Sequence, residues 1–141
     1  MRVEIENMRL VNIANFMYGL SLVRKQSRMR RRFIQMIEDR YKQVELERQE
    51  ILKEHSYKDE NGEAIIKEDN NYDIMDYDAL AQDVNELNRE KFVIEGGDNR
   101  ELIKTMKEIL RKFEDVEYEG QDSDTYDYLC DQFKIDEGEN E

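Results

Sequence analysis

The sequence contains no proline, no tryptophan, one cysteine (Cys130) and one histidine (His55) in 141 residues. A lone cysteine excludes an internal disulfide framework and any zinc site built from several thiolates. With one histidine and no nucleophile elbow, most acid-base and nucleophilic mechanisms lose a necessary partner. No run of 18 or more apolar residues occurs, so no segment reads as a membrane-spanning helix. The longest apolar-rich stretch, Leu10 to Val23, is broken by Asn12, Asn15, Gly19 and Ser21. Glu4 and Glu6 precede it, where a secretory signal carries basic residues, so the expectation is a cytoplasmic product without an export signal. Positive charge is also in deficit, with 22 Lys plus Arg facing 35 Asp plus Glu for a formal net charge of −13.

That deficit is uneven. Residues 1–57 carry 12 basic and 8 acidic side chains (+4), and residues 58–141 carry 10 basic and 27 acidic (−17). Arg24, Lys25, Arg28, Arg30, Arg31 and Arg32 concentrate the positive charge, and from Asp115 to Glu141 there are 11 acids against Lys134 alone. Such asymmetry points to charged partners or to mutual neutralisation within one fold.

The apolar pattern predicts an α+β fold, predominantly helical, with one long helix, a small sheet and a β-hairpin, as a single domain over 1–135 followed by a flexible acidic tail at 136–141. Val3 and Ile5 alternate with Arg2, Glu4 and Glu6 as a half-buried strand, after which Asn7 is placed to cap a helix running to about Leu20. That helix carries apolar residues around most of its circumference, which predicts burial on most sides or a place in an interface. From Arg24 to about His55 there is no Gly or Pro, and Met29, Phe33, Ile37, Tyr41, Val44, Ile51 and His55 recur at helical spacing. Its 32 residues would span about 48 Å, against a radius of gyration of about 14 Å for a compact domain of this length. Either part of the helix projects or packs on something extra, or it kinks. Asn61-Gly62 between short β-prone runs marks a hairpin within Tyr57–Ile74. Asp76 is placed to cap a helix to about Glu90, and Phe92-Val93-Ile94 reads as a buried strand beside the opening one. Asp98 and Glu101 form a capping-box pattern for a helix to about Glu114 with Leu102, Ile103, Met106, Ile109, Leu110 and Phe113 inside. A last helix, about Ser123 to Phe133, presents Tyr126, Leu129, Cys130 and Phe133, and Asp122 and Asp124 suit its N-terminal dipole.

Candidate chemistry is sparse. Counting calcium-loop positions from Asp59 puts Ala64 and Asn70 where the EF-hand needs Gly and Glu, and from Asp122 they are Asp127 and Phe133. Both fail, and no metal or cofactor is expected. Gly96-Gly97-Asp98 before a helix lacks the remaining residues of a P-loop or a Rossmann turn, and Glu95 and Asp98 would repel phosphate. His55 and Cys130 read as structural, the thiol being surrounded in sequence by acids that raise its pKa. The anomaly is the arginine cluster. Six cations near a helix N-terminus oppose the macrodipole, and Arg24, Arg28, Arg31 and Arg32 share one side. They could contact phosphates, but no aromatic stacking platform is interleaved and the remaining −17 repels nucleic acid. Pairing with Glu38, Asp39 or the acidic C-terminal third, where Asp122, Asp124, Asp127 and Asp131 lie, is the favoured expectation.

The order of the opening strand, Lys25-Gln26-Ser27-Arg28-Met29-Arg30 with Phe33, Lys58-Asp59-Glu60-Asn61-Gly62, and Phe92-Val93-Ile94-Glu95-Gly96-Gly97 resembles a family of small proteins encoded by temperate long-tailed phages and prophages of Gram-positive bacteria. The resemblance spans most of the chain and implies a phage origin, with genes near the late tail and lysis modules and location in the host cell cytoplasm. It carries over no functional residues. The expected function is therefore non-enzymatic: macromolecular interaction as a late-module (tail or virion assembly) accessory factor, with a protein partner that includes a second copy of the chain. The alternative is an acidic, phosphate-mimicking inhibitor of a host nucleic-acid-handling or defence protein.

Overall fold

The computed structural model describes residues 1–137, and the acidic tail expected over 136–141 lies outside the described residues from 138 onward. The fold is α+β and mostly helical. In chain order it consists of β1 (Arg2–Glu6), α1 (Leu10–Tyr18), α2 (Arg24–Glu54), α3 (Tyr77–Arg89), β2 (Lys91–Glu95), α4 (Arg100–Lys112) and α5 (Gly120–Gln132), with single 3-10 turns at Asn7–Arg9 and Gly97–Asn99. The chain divides into two compact units, Met1–Tyr41 with the chain from Lys91 onward, and Lys42–Glu90. The uninterrupted helix α2 contributes to both.

In the first unit β1 and β2 form a two-stranded antiparallel sheet in the register Val3↔Ile94 and Ile5↔Phe92. The period-2 alternation turns Val3, Ile5 and Ile94 into the core. Arg2, Glu4 and Lys91 remain on the outer side, where Glu4 meets Arg2 at 3.2 Å and Lys91 at 3.5 Å. The core is completed by Leu10, Ile13, Phe16 and Met17 of α1, Phe33, Ile34 and Ile37 of α2, Leu102, Ile103, Met106, Ile109 and Leu110 of α4, and Leu129 and Phe133 from the end of the chain. Burying each such side chain is worth about 1.5–3 kcal/mol. Phe33 and Phe133 meet edge to face at 5.9 Å, and Phe16, Tyr118 and Tyr126 form a second aromatic group with centroids 5.1–6.1 Å apart.

Several local expectations require correction. Asn7 does not cap α1; it is buried, and its side-chain oxygen accepts a hydrogen bond from Arg40 Nε at 3.0 Å. Helix α1 is two-sided, with Val11 and Tyr18 exposed. The Asp98–Glu101 capping box does not form, because the 3-10 turn at Gly97–Asn99 moves the cap to Asn99 and Glu101 pairs instead with Lys25 at 2.8 Å. Helix α5 starts at Gly120, so Asp122 lies in its first turn and Asp124 beyond it. Phe113 is only half-buried at the end of α4, and the buried Thr105 and Thr125 are polar core positions that the apolar pattern passes over.

In the second unit α2 continues to Glu54, with Val44 buried and Ile51 half-buried. Arg48, which falls between Val44 and Ile51 on the apolar stripe of α2, is held by Glu45 and, at 3.0 Å, by Asn88 of α3. Asp76 caps α3 as expected, accepting from the backbone N–H of Asp78 and Ala79 at 3.0 and 3.2 Å. Between the two helices, Asn61-Gly62 makes the anticipated turn with Gly62 at φ +78°, but the segment is more than a hairpin. The Tyr57 N–H donates to Asp73, the Asp73 N–H to Ile65, and the Ile65 N–H to Tyr57, each at 2.8–2.9 Å. Three short arms eight residues apart thus bond one another in a ring, joined further by the bridges Ser56↔Ile74, Lys58↔Ala64 and Ile66↔Tyr72. Asp59 and Asp69 fasten the two turns by accepting from the N–H groups of Asn61 and Asn71.

Candidate functional site

Helix α2 begins at Arg24, which adopts a left-handed φ of +53°, and has no acid in its first turn. A helix N-terminus carries partial positive charge, so basic residues there are unfavourable unless something answers them. The six cations divide into two sets. Arg30 points inward and donates to the backbone oxygens of Met17, at 3.2 Å, and Leu20, the Met17 oxygen also accepting from the Leu20 N–H at 3.3 Å, so the guanidinium fastens the chain where α1 ends. Lys25 pairs with Glu101, which holds that carboxyl below its ordinary range. The other set is Arg24, Arg28, Arg31 and Arg32, all exposed. Arg32 reaches only the thioether of Met29 at 3.6 Å. Among the described residues none of the four pairs with a carboxylate.

The acids proposed for them are engaged elsewhere or stand apart. Glu38 accepts from the Tyr18 hydroxyl at 3.1 Å and Asp39 from Gln35 at 2.9 Å. On α5, Asp124 pairs with Arg9 at 2.7 Å, and the Arg9 guanidinium lies 4.4 Å from the centre of the Tyr128 ring. The Tyr128 hydroxyl in turn accepts from the Glu6 N–H at 2.9 Å, tying β1 to α5. Asp122, Asp127 and Asp131 are exposed and make no ion pair among the described residues. The structure therefore brings neither Asp122, Asp124, Asp127 nor Asp131 onto the arginine face.

Cys130 is half-buried beside Tyr126, whose hydroxyl donates to the Leu110 carbonyl at 2.6 Å. Burial pushes the thiol up from its ordinary value, and Asp127 and Asp131 push the same way. Burial also pushes Tyr126 well up, with Cys130 adding to it. A thiol held protonated is a poor nucleophile. His55 hydrogen-bonds Asp83 at 2.9 Å, an arrangement that orients the imidazole between α2 and α3. Among the described residues, no group of three or more His, Cys, Asp or Glu side chains is placed to hold a metal ion, and no helix is long and apolar enough to cross a membrane.

Two grooves also lie on the described surface, and neither corresponds to a linear motif. One, of about 840 Å³, runs along α4 beside Gly96 and Gly97 and carries Arg100, Lys104, Lys107 and Arg111 with Glu101 and Glu108. Lys107 is only 6% exposed, and Lys107 and Arg111 already have partners in the protein. The other, of about 780 Å³, lies in the second unit between the C-terminal half of α2 and α3. It is lined by the apolar Leu46, Ile51 and Leu87 and by Glu47, Glu50, Glu54, Asp83, Glu86 and Glu90 against Lys53. Helical spacing at three- and four-residue steps produces both stripes, a signal readable from sequence only once the inward faces are fixed. No protein-family model matches the chain, and comparison with curated proteins and with solved structures gives no match either.

Proposed function

We propose that the chain is a non-enzymatic phage-type protein that acts through macromolecular contact, as a late-module accessory factor in tail or virion assembly within the host cytoplasm. The observation that carries the interaction reading is the arginine face of α2: four exposed cations with no carboxylate partner among the described residues, Arg24 of them in the first turn against the helix dipole. Like charges at i,i+4 spacing, Arg24 with Arg28 and Arg28 with Arg32, repel one another, and an anionic surface on a partner relieves that cost. The order of short motifs resembling phage and prophage proteins supplies the setting. Affinity purification from the native host cells, with wild type beside Arg28→Glu/Arg31→Glu, tests it. The expected result is a macromolecule, or a second copy of the chain, retained by the wild type and lost by the variant. Identical recovery with both would remove the arginine face from the proposal.

A second reading has its own observation. Asp122, Asp127 and Asp131 stand exposed without ion pairs among the described residues along α5, spaced as a run of negative charge. An inhibitor that imitates phosphates would use such a run to enter a basic groove on a host nucleic-acid-binding protein, with strong salt dependence. Recovery of no basic, nucleic-acid-binding host protein at low salt would exclude it.

A further inference from the structure

We infer that the occupant of the arginine face is a second copy of this chain, and that it docks through the acidic groove between α2 and α3. This rests on the interaction reading above and names its partner.

The charge of the two surfaces is complementary and one-sided. The stretch Arg24 to Arg32 has six cations and no acid, whereas the second unit, Lys42–Glu90, carries 15 acids against 6 bases, a formal −9. Its groove gathers Glu47, Glu50, Glu54, Glu86 and Glu90 alongside Leu46, Ile51 and Leu87. The apolar elements match as well. Leu46 at the groove is 70% exposed, and Val23, immediately before the arginines, is 71% exposed. Each leaves a large hydrophobic surface in water that a docked copy would cover.

Within one copy, none of Arg24, Arg28, Arg31 and Arg32 pairs with a carboxylate among the described residues. A second copy offers these cations the acidic groove, and because every copy carries both surfaces the same contact is available to each, as in the self-complementary arrangement of a two-fold dimer.

The test is a charge swap read by size-exclusion chromatography with light scattering. Wild type at ~0.05 M salt should exceed the 17.1 kDa of one chain, about doubling it for the closed dimer, and return to one chain at ~0.5 M salt as screening shortens the charge range. Arg28→Glu/Arg31→Glu and Glu50→Lys/Glu54→Lys should each be monomeric at low salt with unchanged far-ultraviolet circular dichroism. Mixed together, these two variants should recover association. A wild type that stays monomeric at low salt over a wide concentration range overturns the inference. So does an association that survives Arg28→Glu/Arg31→Glu, or a mixture of folded variants that fails to associate. A labelled oligonucleotide that binds the monomer through Arg28 and Arg31 would overturn it in favour of nucleic acid. In that last case the arginine face still binds a macromolecule, so the broader functional reading stands while its named partner falls.

Discussion

Phe133 offers the most direct test of how the first unit is held together. Its ring sits at the C-terminal end of α5, fully buried, and meets the equally buried Phe33 of α2 edge to face at 5.9 Å and 72°. Phe133→Ala removes all six ring carbons from a site with no solvent access. Truncations of this kind cost about 3–5 kcal/mol, from lost transfer energy plus the cavity left behind. For a chain of this length that corresponds to a fall in melting temperature of roughly 10–20 °C. About 0.5–1.5 kcal/mol of the loss should belong to the ring pair itself. A double-mutant cycle with Phe33→Leu and Phe133→Leu, followed by urea titration and circular dichroism, separates that share. Met106→Ala, fully buried on α4, should cost about 2–5 kcal/mol, and Phe113→Ala, half-buried, distinctly less. A Phe133→Ala loss below about 1 kcal/mol, the scale of a surface change, or a ring-pair coupling of zero, would refute this account of the core.

Arg30→Ala should destabilise by about 1.5–3 kcal/mol, because it removes the charge-assisted hydrogen bonds to the backbone oxygens of Met17 and Leu20 and leaves the latter without its guanidinium donor. Arg28→Ala should stay within about 0.5 kcal/mol, and equal losses in chemical melts would erase the division between structural and available arginines. Gly62→Ala should cost about 1 kcal/mol from backbone strain at φ +78° alone, since nothing lies within 4 Å of an added Cβ. An unchanged urea midpoint for that variant would show the turn conformation to be wrong. Alkaline pH should weaken the fold: the unfolded chain releases protons from cysteine near 9.0 and tyrosine near 10.0, whereas the folded chain holds them on Cys130, Tyr118, Tyr126 and Tyr128, whose values are raised chiefly by burial. The folded state then binds more protons, so stability present below pH 9 declines as pH rises. Urea midpoints that rise between pH 8.5 and 10.5 would contradict this sign.

Element types were legible because their periods were strong. The 3.6-residue spacing of Met29, Phe33 and Ile37 and the alternation of Val3 and Ile5 each report a face that must leave water, and the strand pairing followed from two short apolar runs needing one another. Cap chemistry was less legible. Asp76 behaves as its type predicts, but Asp98 loses its role to a 3-10 turn and Asn7 is taken by Arg40, since tertiary partners compete for the same side-chain oxygens. The arginine face was visible as an anomaly, whereas its separation from Arg30 was not. Which guanidinium turns toward the carbonyls of α1 depends on where α1 ends, a contact no linear pattern encodes. The acidic groove was hidden for a related reason: Glu47, Glu50 and Glu54 on one helix and Glu86 and Glu90 on another converge only after both helices pack.

The backbone ring of Tyr57, Ile65 and Asp73 has a consequence for how the second unit can meet other proteins. An ordinary hairpin offers a free row of amides and carbonyls to any passing strand, a liability that natural sheets must blunt. Here each arm is already bonded to both others through the backbone of Tyr57, Ile65 and Asp73, so these groups are not offered to a foreign strand. Order in this acid-rich stretch comes from backbone satisfaction more than from buried apolar mass. Strand addition through the groups of this ring is thereby closed off, since a newcomer would first have to displace bonds the arms make to one another.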